Sequence, residues 1–316
     1  MLTPLMLTLA LLAPPPQDAW LRRGLDAVRD LGVIGAVAEV RDGARLLSAR
    51  TGTADRATRR PVPRRPQIRI ASGTKAFTAT VLRQLCGEGK LSLDDSASRW
   101  LPRLDARITV RHLLQHTSGL PDYFRDPAAW PQLRAAAGFL ARRLRTHRPS
   151  ELVALALKHP PLFPPGTRWS YSNTNDILAG MLIEKITGQT WAQQVRQRAI
   201  HGPHAHAYRR YPDAPGPTDV TEVNPSMGGA AGAIITSATD LNRFQQALNS
   251  GRLLRPAQLL AMRTTVETDA EAQSVWPGAV RARAPSPASW RSLAGTPVWP
   301  DDHMTQLDVK CRLPHA

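Results

Sequence analysis

Residues 70–75 read IASGTK, and this stretch decides the fold because it sets a serine three residues before a lysine at the predicted start of a helix. The apolar spacing over residues 72–87 predicts that helix, and residues three apart on a helix share a face. The amine of Lys75 would therefore lie near the hydroxyl of Ser72. A serine hydroxyl becomes a nucleophile only when a base takes its proton, which lysine can do and arginine cannot. The stretch fits an activated serine, but by itself it fits a helix-capping serine followed by a surface lysine better, because S-x-x-K occurs often by chance.

A second polar cluster, YSN at residues 171–173, follows a predicted extended segment and precedes a predicted helix that starts at Asp176. Alternate residues of an extended chain project to the same side. Tyr171 could then pass a proton between Ser72 and a leaving group, and Asn173 could bind a substrate amide and hold Lys75 in place. The open alternative is an ordinary tyrosine and asparagine at a turn that enters a helix.

Both clusters together, with their surroundings, resemble the serine β-lactamase and penicillin-binding family, for which S-x-x-K is a recorded motif. The tyrosine form of the second cluster is similar to that of class C β-lactamases and of secreted D-alanyl-D-alanine carboxypeptidases. The resemblance extends over about residues 20–275. Three further stretches agree with it in order: GKLSLD at 89–94, ITVRHLLQHTSGL at 108–120 and LAGMLIEKITG at 178–188.

The resemblance implies an α+β fold, in which an antiparallel sheet flanked by helices packs beside an all-helical subdomain built mostly from residues 90–200. It implies that Ser72 is acylated, that Lys75 is the general base, that Tyr171 shares the proton transfer and that Asn173 orients the substrate. The implied reaction is that of a D-alanyl-D-alanine carboxypeptidase on cell-wall stem peptides. The implied partner is a peptidoglycan stem peptide or a β-lactam, and no metal or cofactor is needed.

One element of the family pattern is missing from the sequence. A third motif, His or Lys followed by Thr or Ser and then Gly, should bind the substrate carboxylate and lead into the oxyanion hole. No such triplet follows Tyr171, and the nearest fragment, AGT at 294–296, lacks the cation. Residues 280–316 also show no strand alternation, so we expect the C-terminal strands to be missing or altered. We assign residues 17–279 to the hydrolase domain and 280–316 to an atypical tail that is out of frame with the family or a divergent replacement.

The net charge of +16 comes from 41 basic and 25 acidic residues, but only five of the basic residues are Lys. Scattered arginines are typical of a GC-rich coding bias rather than of a nucleic-acid surface, which needs basic residues clustered on one face. We expect no nucleic-acid partner, and attraction to an anionic envelope polymer is the favoured use of this charge. The two cysteines, Cys86 and Cys311, have no metal-binding spacing.

Residues 2–13 are apolar and are followed by three prolines, a pattern similar to a signal-peptide core, although no basic residue precedes it. The run is too short to span a bilayer. We therefore expect residues 1–16 to be a signal segment and the mature protein to be a monomer, secreted or in the cell envelope, with no membrane span.

Several alternatives stay open at this point. The same serine site would serve a β-lactamase or a small-ester esterase, and the missing third motif would fit a non-catalytic penicillin- or peptidoglycan-binding remnant.

His116 and Ser118 are too close in sequence to face each other as a dyad, and we expect them to shape a loop near the site. A solvated loop is favoured over a metal site at residues 201–206, which hold three histidines.

Overall fold

The structure is a computed structural model, and it describes residues 18–126, 130, 135–195, 207–264, 266 and 268, together with the backbone of two short strands at 292–295 and 298–299. The expected signal segment at 1–16, the histidine cluster at 201–206 and most of the 280–316 tail lie outside the described residues.

Helices and short strands alternate along the chain. The helices are α1 (Ala19–Asp30), α2 (Thr74–Gly87), α3 (Val110–Leu114), α4 (Ala136–Arg142), α5 (Pro149–Ala156), α6 (Asn173–Thr187), α7 (Trp191–Val195), α8 (Gly229–Gly232), α9 (Ala238–Asn249) and α10 (Pro256–Arg263). The strands are β1 (Gly35–Asp42), β2 (Arg45–Gly52), β3 (Ile68–Arg69), β4 (Tyr208–Arg209), β5 (Thr218–Asp219), β6 (Ile235–Thr236), β7 (Ser292–Gly295) and β8 (Val298–Trp299). The α+β fold class predicted from the sequence is confirmed.

The sheet begins with the hairpin that the sequence predicts. β1 pairs antiparallel with β2 from Gly35↔Gly52 to Asp42↔Arg45. Gly43 occupies the two-residue turn at φ +55°, a conformation that glycine adopts without a steric cost. α1 lies on this hairpin and buries Leu21 and Leu25 in a small core with alanines of both strands.

The closing strands correct one expectation. β7 pairs antiparallel with the other edge of β1, from Ala36↔Gly295 to Glu39↔Ser292, and β8 pairs with β4. Of the two alternatives expected for the C-terminal strands, missing or altered, the first is therefore wrong for these two segments, and the second stays open. Sheet pairing runs through main-chain N–H and C=O groups, which every residue except proline has, so a short strand can form without side-chain alternation.

The larger core surrounds α6, which contacts α2, α3, α5, α7 and α8. Leu82, Leu113, Leu152, Leu182 and Ile183 are among its fully buried side chains. Each buried side chain of this size contributes roughly 1.5–3 kcal/mol by leaving water. This packing fixes the start of α6 against the start of α2.

The helices lie close to their predicted positions, with one informative shift. α3, α5 and α6 match the predicted segments 111–115, 150–158 and 176–187 to within three residues at each end, and α4 covers the central part of 131–145. α6 begins at Asn173, three residues earlier than predicted, so Asn173 lies in the first helical turn rather than in an extended segment. Among the described residues, no helix has the length and apolar character that crossing a membrane requires.

A short sheet aligns the segment 230–236 with the start of α2. β3 pairs with β6, and the N–H of Ile70 donates to the carbonyl of Ile234 at 3.1 Å. The N–H of Ile234 donates to Oγ1 of Thr74 at 3.1 Å, and the hydroxyl of Thr78 donates to the carbonyl of Ala230 at 2.9 Å. These contacts bring the carbonyls of α8 beside the first turn of α2.

Candidate active site

Ser72 lies in a 3-10 turn, Ala71–Gly73, that leads directly into α2. The residue before it, Ala71, has a φ of +43°, which is a costly conformation for a residue with a Cβ. Such strain persists only where the surroundings impose it, and it is concentrated at functional sites. The turn places Ser72 half-buried at the N-terminus of a helix, whose dipole favours negative charge.

The amine of Lys75 is held by three acceptors. Its Nζ donates to Oγ of Ser72 at 3.2 Å, to Oδ1 of Asn173 at 2.9 Å and to the carbonyl of Ala231 at 2.8 Å. A lysine ammonium has three N–H donors, so these contacts satisfy it fully. The side chain is only 14 % exposed. When the amine is neutral, its lone pair is available at the Ser72 contact.

Tyr171 is the second group that reaches the serine. Its hydroxyl lies 2.9 Å from Oγ of Ser72 and donates to Oδ1 of Asn173 at 3.4 Å. Nζ of Lys75 lies 5.0 Å from the centre of the Tyr171 ring, close enough for a cation–π contact. The structure thus brings together all four residues that the sequence singled out.

Asp122 orients the amide of Asn173. Nδ2 of Asn173 donates to Oδ2 of Asp122 at 2.9 Å, which turns Oδ1 toward Lys75. An amide nitrogen carries two N–H groups, so the second one is the group that a substrate carbonyl could use. Burial raises the pKa of Asp122, although the N–H groups of Phe124 and Asn173 oppose this.

His116 contacts both the ring of Tyr171 and the start of α6. Its ring packs on the Tyr171 ring at 4.7 Å, and its Nδ1 accepts from the N–H of Ser172 at 3.4 Å and from Nδ2 of Asn175 at 3.1 Å. Burial, with a smaller contribution from Lys75, lowers the pKa of His116 to about 3. The imidazole is therefore neutral at physiological pH and acts as an acceptor. With Ser118, which donates to Asn175 at 2.6 Å, it shapes the loop beside the site as the sequence suggested.

Asp176, in the first turn of α6, is a carboxyl that sequence reasoning did not single out. Its Oδ2 lies 3.9 Å from Nζ of Lys75 and has no hydrogen-bond partner in the described part of the chain. Burial raises the pKa of Asp176 to about 7, with Lys75 opposing and Asp122 adding to the shift. Asp176 lies in the first turn of a helix and Asp122 caps a 3-10 turn, and both positions are common for acidic residues, so the sequence carried no signal for either carboxylate.

The arrangement suits acyl transfer. One hydroxyl contacts two groups that can move its proton, at a helix N-terminus that favours the developing charge. Within the residues that the structure describes, no three His, Cys, Asp or Glu side chains come together as a metal site would require. The fold and this site define a serine hydrolase with a lysine and a tyrosine beside its serine.

Comparisons with known proteins give the family. The β-lactamase family model matches residues 18–293, and the chain belongs to this family of β-lactamase- and penicillin-binding-type serine hydrolases. The match extends well beyond the two motifs, over the region in which the sequence showed its resemblance.

Three relatives illustrate the range of the family. The chain is 35% identical over 180 residues to esterase EstB of Burkholderia gladioli. The aligned region is 54% of this chain and 45% of the esterase. It is 31% identical over 166 residues to penicillin-binding protein 4* of Bacillus subtilis, covering 51% of this chain and 34% of that protein. These matches span less than half of each relative. The crystal structure of a D-stereospecific amidohydrolase from Streptomyces sp. superposes with a TM-score of 0.74 at 39% identity, covering 81% of this chain and 80% of that one.

Proposed function

We propose that this protein hydrolyses amides whose acyl residue has the D configuration, through an acyl-enzyme on Ser72. The observation that carries the proposal is the network in which Lys75 and Tyr171 both contact Oγ of Ser72, at 3.2 Å and 2.9 Å. The D configuration is supported by the 39% identity to a D-stereospecific amidohydrolase over four fifths of both chains.

In the proposed acylation, Oγ of Ser72 attacks the substrate carbonyl while its proton passes to the neutral amine of Lys75. The N–H of Ser72 at the helix N-terminus stabilises the oxyanion. The C–N bond then breaks, Tyr171 donates its hydroxyl proton to the leaving amine, and Lys75 returns a proton to Tyr171. Water releases the acyl group by the reverse sequence, which restores the serine.

A D-alanyl-D-alanine carboxypeptidase is the narrower proposal within this class. Such an enzyme needs a cation for the terminal carboxylate of its substrate, and no His/Lys-Thr/Ser-Gly triplet follows Tyr171 in the sequence. A neutral amide makes no such demand. We therefore place D-aminoacyl amides, which have no C-terminal carboxylate, ahead of a free stem-peptide end.

The second candidate is a small-ester esterase, favoured by the 35% identity to esterase EstB. Esters have better leaving groups than amides, so the same serine network would act on them without further residues. A β-lactamase is the third activity that this site could carry, because a β-lactam also acylates an activated serine.

A substrate panel separates these candidates. Initial rates are measured for D- and L-phenylalanine amide, a D-alanyl-D-alanine peptide, a nitrophenyl ester and a chromogenic cephalosporin, with Ser72→Ala as the blank. We expect the D-amide to exceed the L-amide by at least about a hundredfold, the size of discrimination that a shaped pocket gives. Equal rates for both enantiomers would overturn the stereochemical proposal, and turnover of the ester alone would establish the esterase.

We also propose that the protein acts outside the cytoplasm, in the cell envelope. The apolar run at residues 2–13 and the net charge of +16 support this location, because the envelope contains anionic polymers. Fusion of residues 1–30 to a phosphatase that folds only after export tests it. Active phosphatase is expected, and an inactive cytoplasmic fusion would contradict the proposal.

A further inference from the structure

One buried acid beside the serine network has no part in the mechanism given above. The side chain of Asp176 is 7% exposed, and its Oδ2 has no hydrogen-bond partner among the described residues. A buried polar atom without a partner is costly, so its presence calls for an explanation. The amine of Lys75 lies 3.9 Å from this oxygen.

Asp176 is not needed to hold that amine in place. Lys75 already donates to Ser72, Asn173 and Ala231, all within 3.2 Å, whereas the oxygen of Asp176 lies beyond hydrogen-bond distance. Three neutral acceptors thus fix the position of the amine. What Asp176 adds is its charge, which acts over 3.9 Å in a site from which water is largely excluded.

The groups that face Asp176 come from three parts of the fold. α2 contributes Lys75, and the 3-10 turn at 123–125 contributes its capping residue Asp122 and its first residue Tyr123. The charge of Asp122 raises the pKa of Asp176, and the charge of Asp176 helps to raise the pKa of the Tyr123 hydroxyl. α8 contributes only the residues Gly229–Gly232, which carry no titratable side chain. Burial raises the pKa of Asp176 to about 7, so its carboxyl changes charge within the pH range in which hydrolases work.

We propose that Asp176 is a positioning residue whose charge sets the pH at which Lys75 can accept the proton of Ser72. This inference rests on the proposed function of Lys75 as the base. An ionised carboxylate at 3.9 Å favours the ammonium form of Lys75, and an ammonium cannot act as a base. A neutral side chain at position 176 removes this attraction and leaves the three hydrogen bonds of the amine unchanged.

The test is the pH profile of Ser72 acetylation by p-nitrophenyl acetate, followed by mass spectrometry of the intact protein. For Asp176→Asn we expect the acidic limb of the profile to move to lower pH by about one unit or more, since an opposite charge at this distance shifts a proton equilibrium by roughly 1–3 units. The rate on the alkaline plateau should change little. An unchanged limb, a limb moved to higher pH, or a folded variant that is not acetylated at any pH would each overturn the inference.

Asp240 provides the matched control. It also lies in the first turn of a helix, α9, but at the surface, where it pairs with Arg243. Asp240→Asn removes a charge from a helix start and should leave the pH profile where it is. If wild-type Ser72 is not acetylated at all, the proposed function fails; if it is acetylated and Asp176→Asn has the wild-type profile, only the present inference fails.

A reciprocal measurement covers the case in which Asp176→Asn does not fold. Coupling between two sites acts equally in both directions. The carboxyl of Asp176 is titrated by NMR with 13C-labelled aspartate in the wild type and in Lys75→Met. We expect its midpoint near pH 7 in the wild type to rise when the lysine charge is removed, because that charge lowers it. The same midpoint in both proteins would overturn the inference.

Discussion

The two helix starts that meet at Ser72 are built in different ways. At the start of α2, Ala71 is held in a left-handed conformation, and no side chain caps the helix. At the start of α6, Ser172 and Thr174 both donate to the carbonyl of Pro121, and Asn175 bonds to the loop at 116–118. The first start exposes a reactive group on a strained turn, whereas the second is fixed by a dense set of hydrogen bonds.

The difference separates the site geometry that a single helix sets from the geometry that needs distant parts of the chain. The spacing of Ser72 and Lys75 is set by the helix that carries both, so it can be read from six residues of sequence. The other contacts of the amine come from residues 98 or more positions away, which only the folded chain brings together. Changes at the first start should abolish the reaction, and changes at the second should modulate it.

Removal of the nucleophile should have the largest effect. We expect Ser72→Ala to lose at least about a thousandfold in kcat/KM and to take no label from a fluorescent penicillin, because the covalent step needs Oγ. Ser226→Ala, on a 3-10 turn outside the serine network, is the control. Undiminished labelling of Ser72→Ala would mean that the nucleophile lies elsewhere.

Replacement of the base with charge retained should be nearly as severe. Lys75→Arg keeps a cation at the site, but a guanidinium does not release its proton, so we expect a loss of about a thousandfold in acylation rate. Lys90→Arg, at an exposed lysine that pairs with Glu88, should have wild-type activity. An active Lys75→Arg protein would transfer the role of base to Tyr171.

Tyr171→Phe tests the start of α6, and we expect a smaller loss of activity than for the two substitutions at the start of α2. Loss of the hydroxyl removes the proton donor for the leaving amine. General acid catalysis typically contributes at least about a hundredfold in rate, so we expect amide hydrolysis to slow by about this factor. A nitrophenyl ester needs less help at its leaving group and should lose less. Tyr211→Phe removes a buried hydroxyl that has no hydrogen-bond partner within the described chain, and it should have no effect on either substrate. Equal losses for amide and ester would contradict the role of Tyr171.

Counted per pH unit, the smallest effect expected is on stability, and it separates His116 from Asp176. The pKa of His116 falls from 6.5 to about 3 on folding, so its contribution to the free energy of unfolding is present above pH 6.5 and is lost as the pH falls. The pKa of Asp176 rises from 3.8 to about 7, so its contribution is present below pH 3.8 and is lost as the pH rises through about 7. Between pH 3.8 and 6.5, the contribution of His116 to the free energy of unfolding rises with pH, whereas that of Asp176 falls.

Replacing each residue separately should remove that residue's pH dependence from the free energy of unfolding. Relative to the wild type, Asp176→Asn should gain about 1.4 kcal/mol of unfolding free energy per pH unit between pH 4 and 6.5, and His116→Asn should lose the same amount per unit. Urea unfolding at several pH values measures both. The slope matters rather than the absolute stability, since His116→Asn also leaves a cavity. Parallel stability curves for the three proteins would show that neither group has the protonation state described.

The sequence predicted the parts of this molecule that depend on neighbours along the chain. The β1–β2 hairpin followed from Asp42-Gly43, and the helix carrying Ser72 and Lys75 followed from its apolar spacing. The spacing offered possible roles for Tyr171 and Asn173 and left an ordinary turn open, and the family resemblance favoured those roles. α6 proved to begin three residues earlier than expected.

The parts that depend on distant contacts could not be predicted in this way. Asp122 and Asp176 are ordinary residues in the sequence, and they become part of the site only because the loop at 116–125 packs on the start of α6. β7 was missed because its pairing with β1 uses the main chain, which leaves no pattern in the side chains.

Mass spectrometry of the protein during turnover of p-nitrophenyl acetate shows directly whether Ser72 forms an acyl-enzyme. The reaction is quenched in acid, and peptide mapping then locates the acetyl group. We expect one acetyl group per chain, located on the peptide that contains Ser72, and we expect it to be absent in Ser72→Ala and in Lys75→Arg. An acetyl group on another residue of the wild type, or equal acetylation of Ser72→Ala, would contradict the claim that the two helix starts form a serine hydrolase site.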